Sequence, residues 1–215
     1  MLLSIYLLIL AYFVAGAVAF LFINRHRAVD QARQNWLKYG TYFLIIHVLF
    51  ASIVFDSRVF RYLGLGIVLA GYVELVLVFR KSGLGKPGVF VPALILFTLL
   101  SVGFYRFGLL SRDEILFSFL VVCAFDAFSQ LTGQLLGRRK IFPVISPAKT
   151  LEGVIGGACF GLATAVLLRT LPGRSAASAL GVGLGIVAFS LAGDLLASYY
   201  KRQYHVKDYS GALPG

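Results

Sequence analysis

Ile115-Leu-Phe-Ser-Phe-Leu-Val-Val-Cys-Ala-Phe-Asp126-Ala-Phe-Ser-Gln-Leu-Thr-Gly-Gln-Leu135 is the stretch that decides the fold of this chain. It matches the run of about 20 residues that carries a helix across roughly 30 Å of hydrocarbon, and its only charged side chain is Asp126. Six more apolar runs flank it, at about Leu2 to Ile23, Tyr39 to Phe55, Tyr62 to Phe79, Val89 to Tyr105, Leu151 to Leu168 and Ala177 to Ser198. Hydrophobic residues make up 59% of the 215 and charged residues 13%. With a mean hydropathy of +0.87, that balance excludes a water-soluble globule of this length. The fold expected is all-α, a polytopic integral membrane bundle of about seven transmembrane helices. The first run lacks a basic leader and is followed by basic residues, the pattern of a retained membrane helix and not of a cleaved signal peptide.

A net charge of +11 would raise nucleic acid as a partner for a soluble protein. Its placement points elsewhere. Seven crossings put Arg25, Arg27, Arg33, Lys38, Arg80, Lys81, Lys86, Arg138, Arg139, Lys140, Lys149, Lys201, Arg202 and Lys207 on one side, and Arg58, Arg61, Arg106, Arg112, Arg169 and Arg174 on the other, fourteen against six of the 20. The positive-inside bias makes the richer side cytoplasmic, with the N-terminus outside and the C-terminus inside; in a bacterium the membrane is the inner one. Aromatic residues fall mostly within the apolar spans, so no nucleic-acid partner is expected. Cys123 and Cys159 lie in predicted helices without paired spacing and read as packing residues. His26, His47 and His205 have no metal-ligand spacing.

The chain reads as one continuous bundle with connections of about six to sixteen residues. Helix-breaking and charged residues concentrate after Asp126, which suggests a scaffold over residues 1–110 and chemistry over residues 111–215. Glycines recur within spans, as at Gly153, Gly156, Gly157 and Gly161. They let helix backbones approach closely in lipid and leave room for a homodimer.

Carboxylates inside membrane spans are expensive and usually have a partner or a task. Four stand out: Glu74, which precedes Arg80 and Lys81 and reads equally as an interfacial ion pair, and Asp126, Glu152 and Asp194. Asp194 and Ser198 share a helix face that leads into Lys201 and Arg202. In Ile145-Ser146-Pro147-Ala-Lys149-Thr150-Leu-Glu152-Gly153, Ser146 before Pro147 predicts a helix N-cap. Free N–H groups there would cradle a phosphate, with Lys149 and Thr150 adding a charge and a hydroxyl; simple capping of the sixth span is the alternative. The end of the chain runs Ser198-Tyr-Tyr-Lys201-Arg202-Gln-Tyr-His-Val-Lys207-Asp208-Tyr-Ser-Gly211-Ala-Leu-Pro214-Gly215. Cations beside a carboxylate at a membrane surface suit a polyphosphate with a divalent metal, and ordinary basic flanking of a helix is the alternative.

Ile-Ser-Pro-x-Lys-Thr-x-Glu-Gly, followed in order by Ser-x-x-Lys-Arg, Lys-Asp and Leu-Pro-Gly, resembles the signatures of the phosphatidate cytidylyltransferase family over roughly residues 125–215. The resemblance implies transfer of a cytidylyl group from CTP to phosphatidic acid, giving CDP-diacylglycerol and pyrophosphate, with Mg²⁺ as cofactor. It implies Lys207, Asp208 and Asp126 as catalytic residues and Asp208 and Asp194 as metal ligands. Ser146, Lys149, Thr150, Glu152, Ser198, Lys201 and Arg202 are the implied substrate-binding residues. In the family the second signature continues into His-Gly-Gly and Asp-Arg-x-Asp, whereas this chain stops at Gly215, so the residues present are expected to be inactive alone. A CTP-dependent lipid kinase and a non-catalytic membrane pseudoenzyme are the other readings.

Overall fold

The computed structural model describes residues 2–25, 27–81 and 85–206. Their fold is seven helices: α1 Leu2–Asn24, α2 Val29–Phe55, α3 Ser57–Lys81, α4 Pro87–Phe107, α5 Arg112–Leu136, α6 Leu151–Leu167 and α7 Ala176–Gln203. Among the described residues, extended pairing is confined to one isolated bridge between Lys140 and Thr150. All seven apolar runs form helices. Six are long and apolar enough to cross a membrane, and the 17-residue α6 is shorter. The protein is an integral membrane protein.

The helix starts follow local chemistry. Ser111 and Ser175 cap α5 and α7, each accepting the N–H of the third residue on, Glu114 and Ser178. Such a cap satisfies one of the donors a helix start leaves free. One residue, Asp56, separates α2 from α3; its N–H closes α2 on Ser52, and its carboxylate accepts the N–H of Arg58. Connections of six to sixteen residues were therefore too long an expectation here: a capping aspartate turns the chain in one step. α2 also begins ten positions before its apolar run, because Asp30, Gln31, Arg33 and Gln34 continue the helix along a polar surface.

The helices alternate in direction. Ile5 and Ile9 of α1 pack with Phe117, Leu120 and Val121 of α5, Ala165 of α6 and Ala179 of α7. At the same end Ile53 of α2, Phe60 of α3 and Ile115 of α5 form a second core. The other end holds Phe20 and Ile23 of α1 with Phe128 and Leu131 of α5, and Leu75 and Val78 of α3 with Tyr200 and Tyr204. Both halves of the chain thus share cores. The helix ends next to the more basic set of connections therefore lie together.

α5 is the hub. Half of its apolar span is buried, against none of α4's. Its contact with α6 runs backbone to backbone through glycines: a Cβ on Gly157 would stand 2.6 Å from the Phe125 carbonyl oxygen, and one on Gly153 2.8 Å from that of Ser129. Both are closer than any side chain could occupy, so these positions need glycine. This crossing fixes where the segment between α5 and α6 emerges.

Candidate active site

Residues 137–150 leave α5 at Gly137 and return as a narrow hairpin. The Leu151 N–H donates to the Arg139 carbonyl at 2.9 Å, and Lys149 N–H closes a turn on the Ser146 carbonyl at 3.1 Å. Glu152 staples the base, its carboxylate accepting the backbone N–H groups of Arg138 at 3.0 Å and Arg139 at 3.2 Å.

This geometry corrects the expected helix start. Ser146 and Pro147 belong to the turn, and the N-cap of α6 is Thr150, whose hydroxyl accepts the Gly153 N–H at 3.1 Å. Burial decides between the two candidate caps. Thr150 is 3% exposed and sits against Gly133 of α5 and the capping Gly137, and at Gly137 only hydrogen leaves room for its hydroxyl and methyl. The amides of Leu151, Glu152 and Gly153 are bonded to the Arg139 carbonyl, the Glu152 carboxylate and the Thr150 hydroxyl respectively. The expected cradle of free N–H groups at this helix start is therefore filled by the protein's own acceptors. Cationic side chains are what the hairpin offers to an anion.

Lys149 is the cation that reaches inward. Its ammonium lies 2.5 Å from the Asp194 carboxylate on α7, with the lysine side chain 18% exposed and the aspartate 56%. The lysine is held while its acceptor stays open to solutes. Four residues before Asp194, Ser190 donates a 3.2 Å hydrogen bond to Asp126 of α5. Asp126 is exposed yet surrounded by protein, within range of the charges of Asp194 and Lys149; it lines an open cleft between α5 and α7. Tyr42 of α2 faces the same carboxylate.

The cleft's outer edge is built by the end of α7. Arg202 Nε donates to the Ile145 carbonyl of the hairpin at 3.3 Å. Tyr200 donates to the Leu75 carbonyl at 2.9 Å and Tyr204 to the Lys86 carbonyl at 3.0 Å, which pins this end to α3 and α4. Ser198 is 9% exposed, and Lys201 and Arg202 are half-buried beside it. Lys207 and Asp208 lie outside the described residues.

The structure thus brings Asp126, Lys149, Asp194 and Arg202 to one end of the bundle, while Thr150 and Glu152 shape the hairpin. Ser190 and Tyr42 escaped the sequence reading. The four-residue spacing of Ser190, Asp194 and Ser198 was a usable signal for the serine; Tyr42 carried none.

Among the described residues no three His, Cys, Asp or Glu side chains converge as a metal cage. Asp126 and Asp194, on neighbouring helices and within range of each other's charge, are the carboxylates here that could hold a divalent cation.

The chain matches the cytidylyltransferase family over residues 1–215. It belongs to that family. A phosphatidate cytidylyltransferase of Staphylococcus aureus (strain COL) is 38% identical over 129 residues, covering 55% of this chain and 50% of the relative. One of Brucella abortus biovar 1 (strain 9-941) is 37% identical over 162 residues, covering 71% and 57%. The chain spans about half the length of these curated relatives. No solved structure matches it.

Proposed function

We propose that the protein transfers a cytidylyl group from CTP to phosphatidic acid, forming CDP-diacylglycerol and pyrophosphate in phospholipid synthesis. The observation that carries this reading is the Lys149–Asp194 contact beside Asp126, because it ties the first family signature to the helix that leads into the second, in one cleft at a bundle end. A lipid phosphate oxygen attacks the α-phosphorus of CTP, and the bond from that phosphorus to the bridging oxygen of the leaving pyrophosphate breaks. Such a transfer asks the protein for alignment and charge neutralisation more than for covalent chemistry.

Lys149 is placed to exchange its carboxylate partner for a triphosphate oxygen, which frees Asp194. Arg202, tethered through Nε, keeps its terminal nitrogens for phosphate, and Lys201 adds charge beside it; Lys207 is a further phosphate contact that the family resemblance implies. Asp126 and Asp194, with Asp208, are the residues that would hold Mg²⁺; the ion would supply neutralisation of the phosphate oxygens. Ser190 orients the Asp126 carboxylate through its hydrogen bond. Ser146, on the hairpin turn, and Ser198, on α7, are further substrate contacts that the family resemblance implies. The hairpin and the α7 end would face the cytoplasm, where CTP is, with the N-terminus on the far side.

Membranes containing the protein from its whole reading frame, given Mg²⁺ and phosphatidate, should move label from [α-³²P]CTP into lipid and none from [γ-³²P]CTP. Lipid labelled from the γ-position would identify a kinase instead, and no labelled lipid from either would leave a non-catalytic protein.

A further inference from the structure

At the end of the bundle away from this cleft, α3 and α4 part to leave a groove of about 230 Å³. Phe60, Arg61, Leu65, Tyr72, Ser101 and Phe104 line it. Its floor is Gly64, where a Cβ would meet the Phe104 ring at 2.9 Å, and the Tyr72 hydroxyl donates to Thr98 at 2.9 Å across its inner end. The groove is mostly hydrocarbon-lined, with one charge at its mouth. Arg61 is half-buried, and among the described residues no ion pair or hydrogen bond engages its guanidinium. Exposed Arg58 and Arg106 stand at the same end, and among the described residues neither makes an ion pair. The nearest carboxylate in sequence, Asp56, caps the start of α3.

A half-buried guanidinium without an acceptor is costly at a membrane boundary. Its five donors match a phosphate, and the apolar channel beneath matches an alkyl chain. We propose that the α3–α4 groove binds an anionic phospholipid, one acyl chain lying between the helices and the phosphate held by Arg61, in the leaflet opposite the candidate active site. Net charge favours an anionic over a zwitterionic lipid, because Arg58 and Arg106 add positive potential around the phosphate.

Native mass spectrometry of the protein released from nanodiscs tests this, using phosphatidylglycerol and phosphatidylcholine of identical acyl chains. The anionic lipid should be retained about fivefold more than the zwitterionic one, as expected for one additional cation–headgroup contact. Arg61→Gln should bring the two to parity, Arg61→Lys should keep part of the preference, and Leu65→Trp, which fills the groove, should remove both adducts. Arg112→Gln, at the same end but outside the groove, should change nothing. Equal retention by the unaltered protein, or a preference that survives Arg61→Gln in a folded variant, would overturn the proposal. So would a dimer that carries no lipid and falls apart in Leu65→Trp, since the groove would then seat a second copy.

Discussion

α5 and α6 meet through backbone, α3 and α4 through aromatic rings. A Cβ at Gly157 would collide with a carbonyl oxygen of α5 at 2.6 Å, whereas one at Gly71 would meet the tip of the Phe97 ring at 2.5 Å. The separations are nearly equal and their consequences are not. A helix carbonyl cannot retreat without moving the helix, while a ring on a rotatable side chain can swing into the loosely filled space between α3 and α4. Rigid packing lies where a polar site must be positioned: the α5–α6 crossing sets the hairpin, the hairpin sets Lys149, and Lys149 meets Asp194. Looser packing lies where the surroundings are lipid.

Several measurements would break or sharpen that contrast. The greatest effect is expected at the cleft, where Asp126→Asn or Lys149→Gln should each lower α-phosphate transfer roughly 100-fold or more, the scale of losing one preorganised charge contact. Thermal stability in detergent should hardly change in either variant, and a large loss of stability would reassign these residues to folding. Next comes Gly157→Val, which should cost about 3 kcal/mol or more by wedging two backbones apart, seen as a sharply lowered melting temperature. The matched change Gly71→Val should cost about 1 kcal/mol or less, if ring rotation relieves the overlap; equal losses at the two glycines would erase the distinction between the regions. Thr150→Ala should remove about 1 kcal/mol through loss of the α6 cap, with transfer falling as the hairpin loosens. Smallest is Arg174→Met, which deletes the partly exposed pair with Glu114 at 2.8 Å on the far end. Stability should drop by about 1 kcal/mol or less, and transfer should be untouched.

The helices were legible because hydrocarbon imposes a length and a composition that few other environments demand. Glycines at Gly153, Gly156 and Gly157 already announced a close crossing. The α6 start was not legible, since Ser146-Pro147 and Thr150-Leu-Glu152 are both acceptable local starts. Burial of Thr150 against Gly133 and Gly137 chose between them, and that is tertiary information. Asp126 and Asp194 could be singled out from the cost of an intramembrane carboxylate. That they face each other across α5 and α7, with Ser190 and Tyr42 alongside, depends on helix rotation, which spacing within one helix does not report. Glu152 shows the converse: a charge in a signature motif holds the backbone of Arg138 and Arg139.

The central claim is that the hairpin and α7 form a single site around Asp126, and a double-mutant cycle tests it directly. Transfer from [α-³²P]CTP to phosphatidate would be measured for Asp126→Asn, Lys149→Gln and the double variant in membranes without background activity. Groups acting as one unit give strongly non-additive losses, so the account predicts a double variant within about threefold of the worse single one. Losses that multiply, or a single variant with full activity, would contradict it.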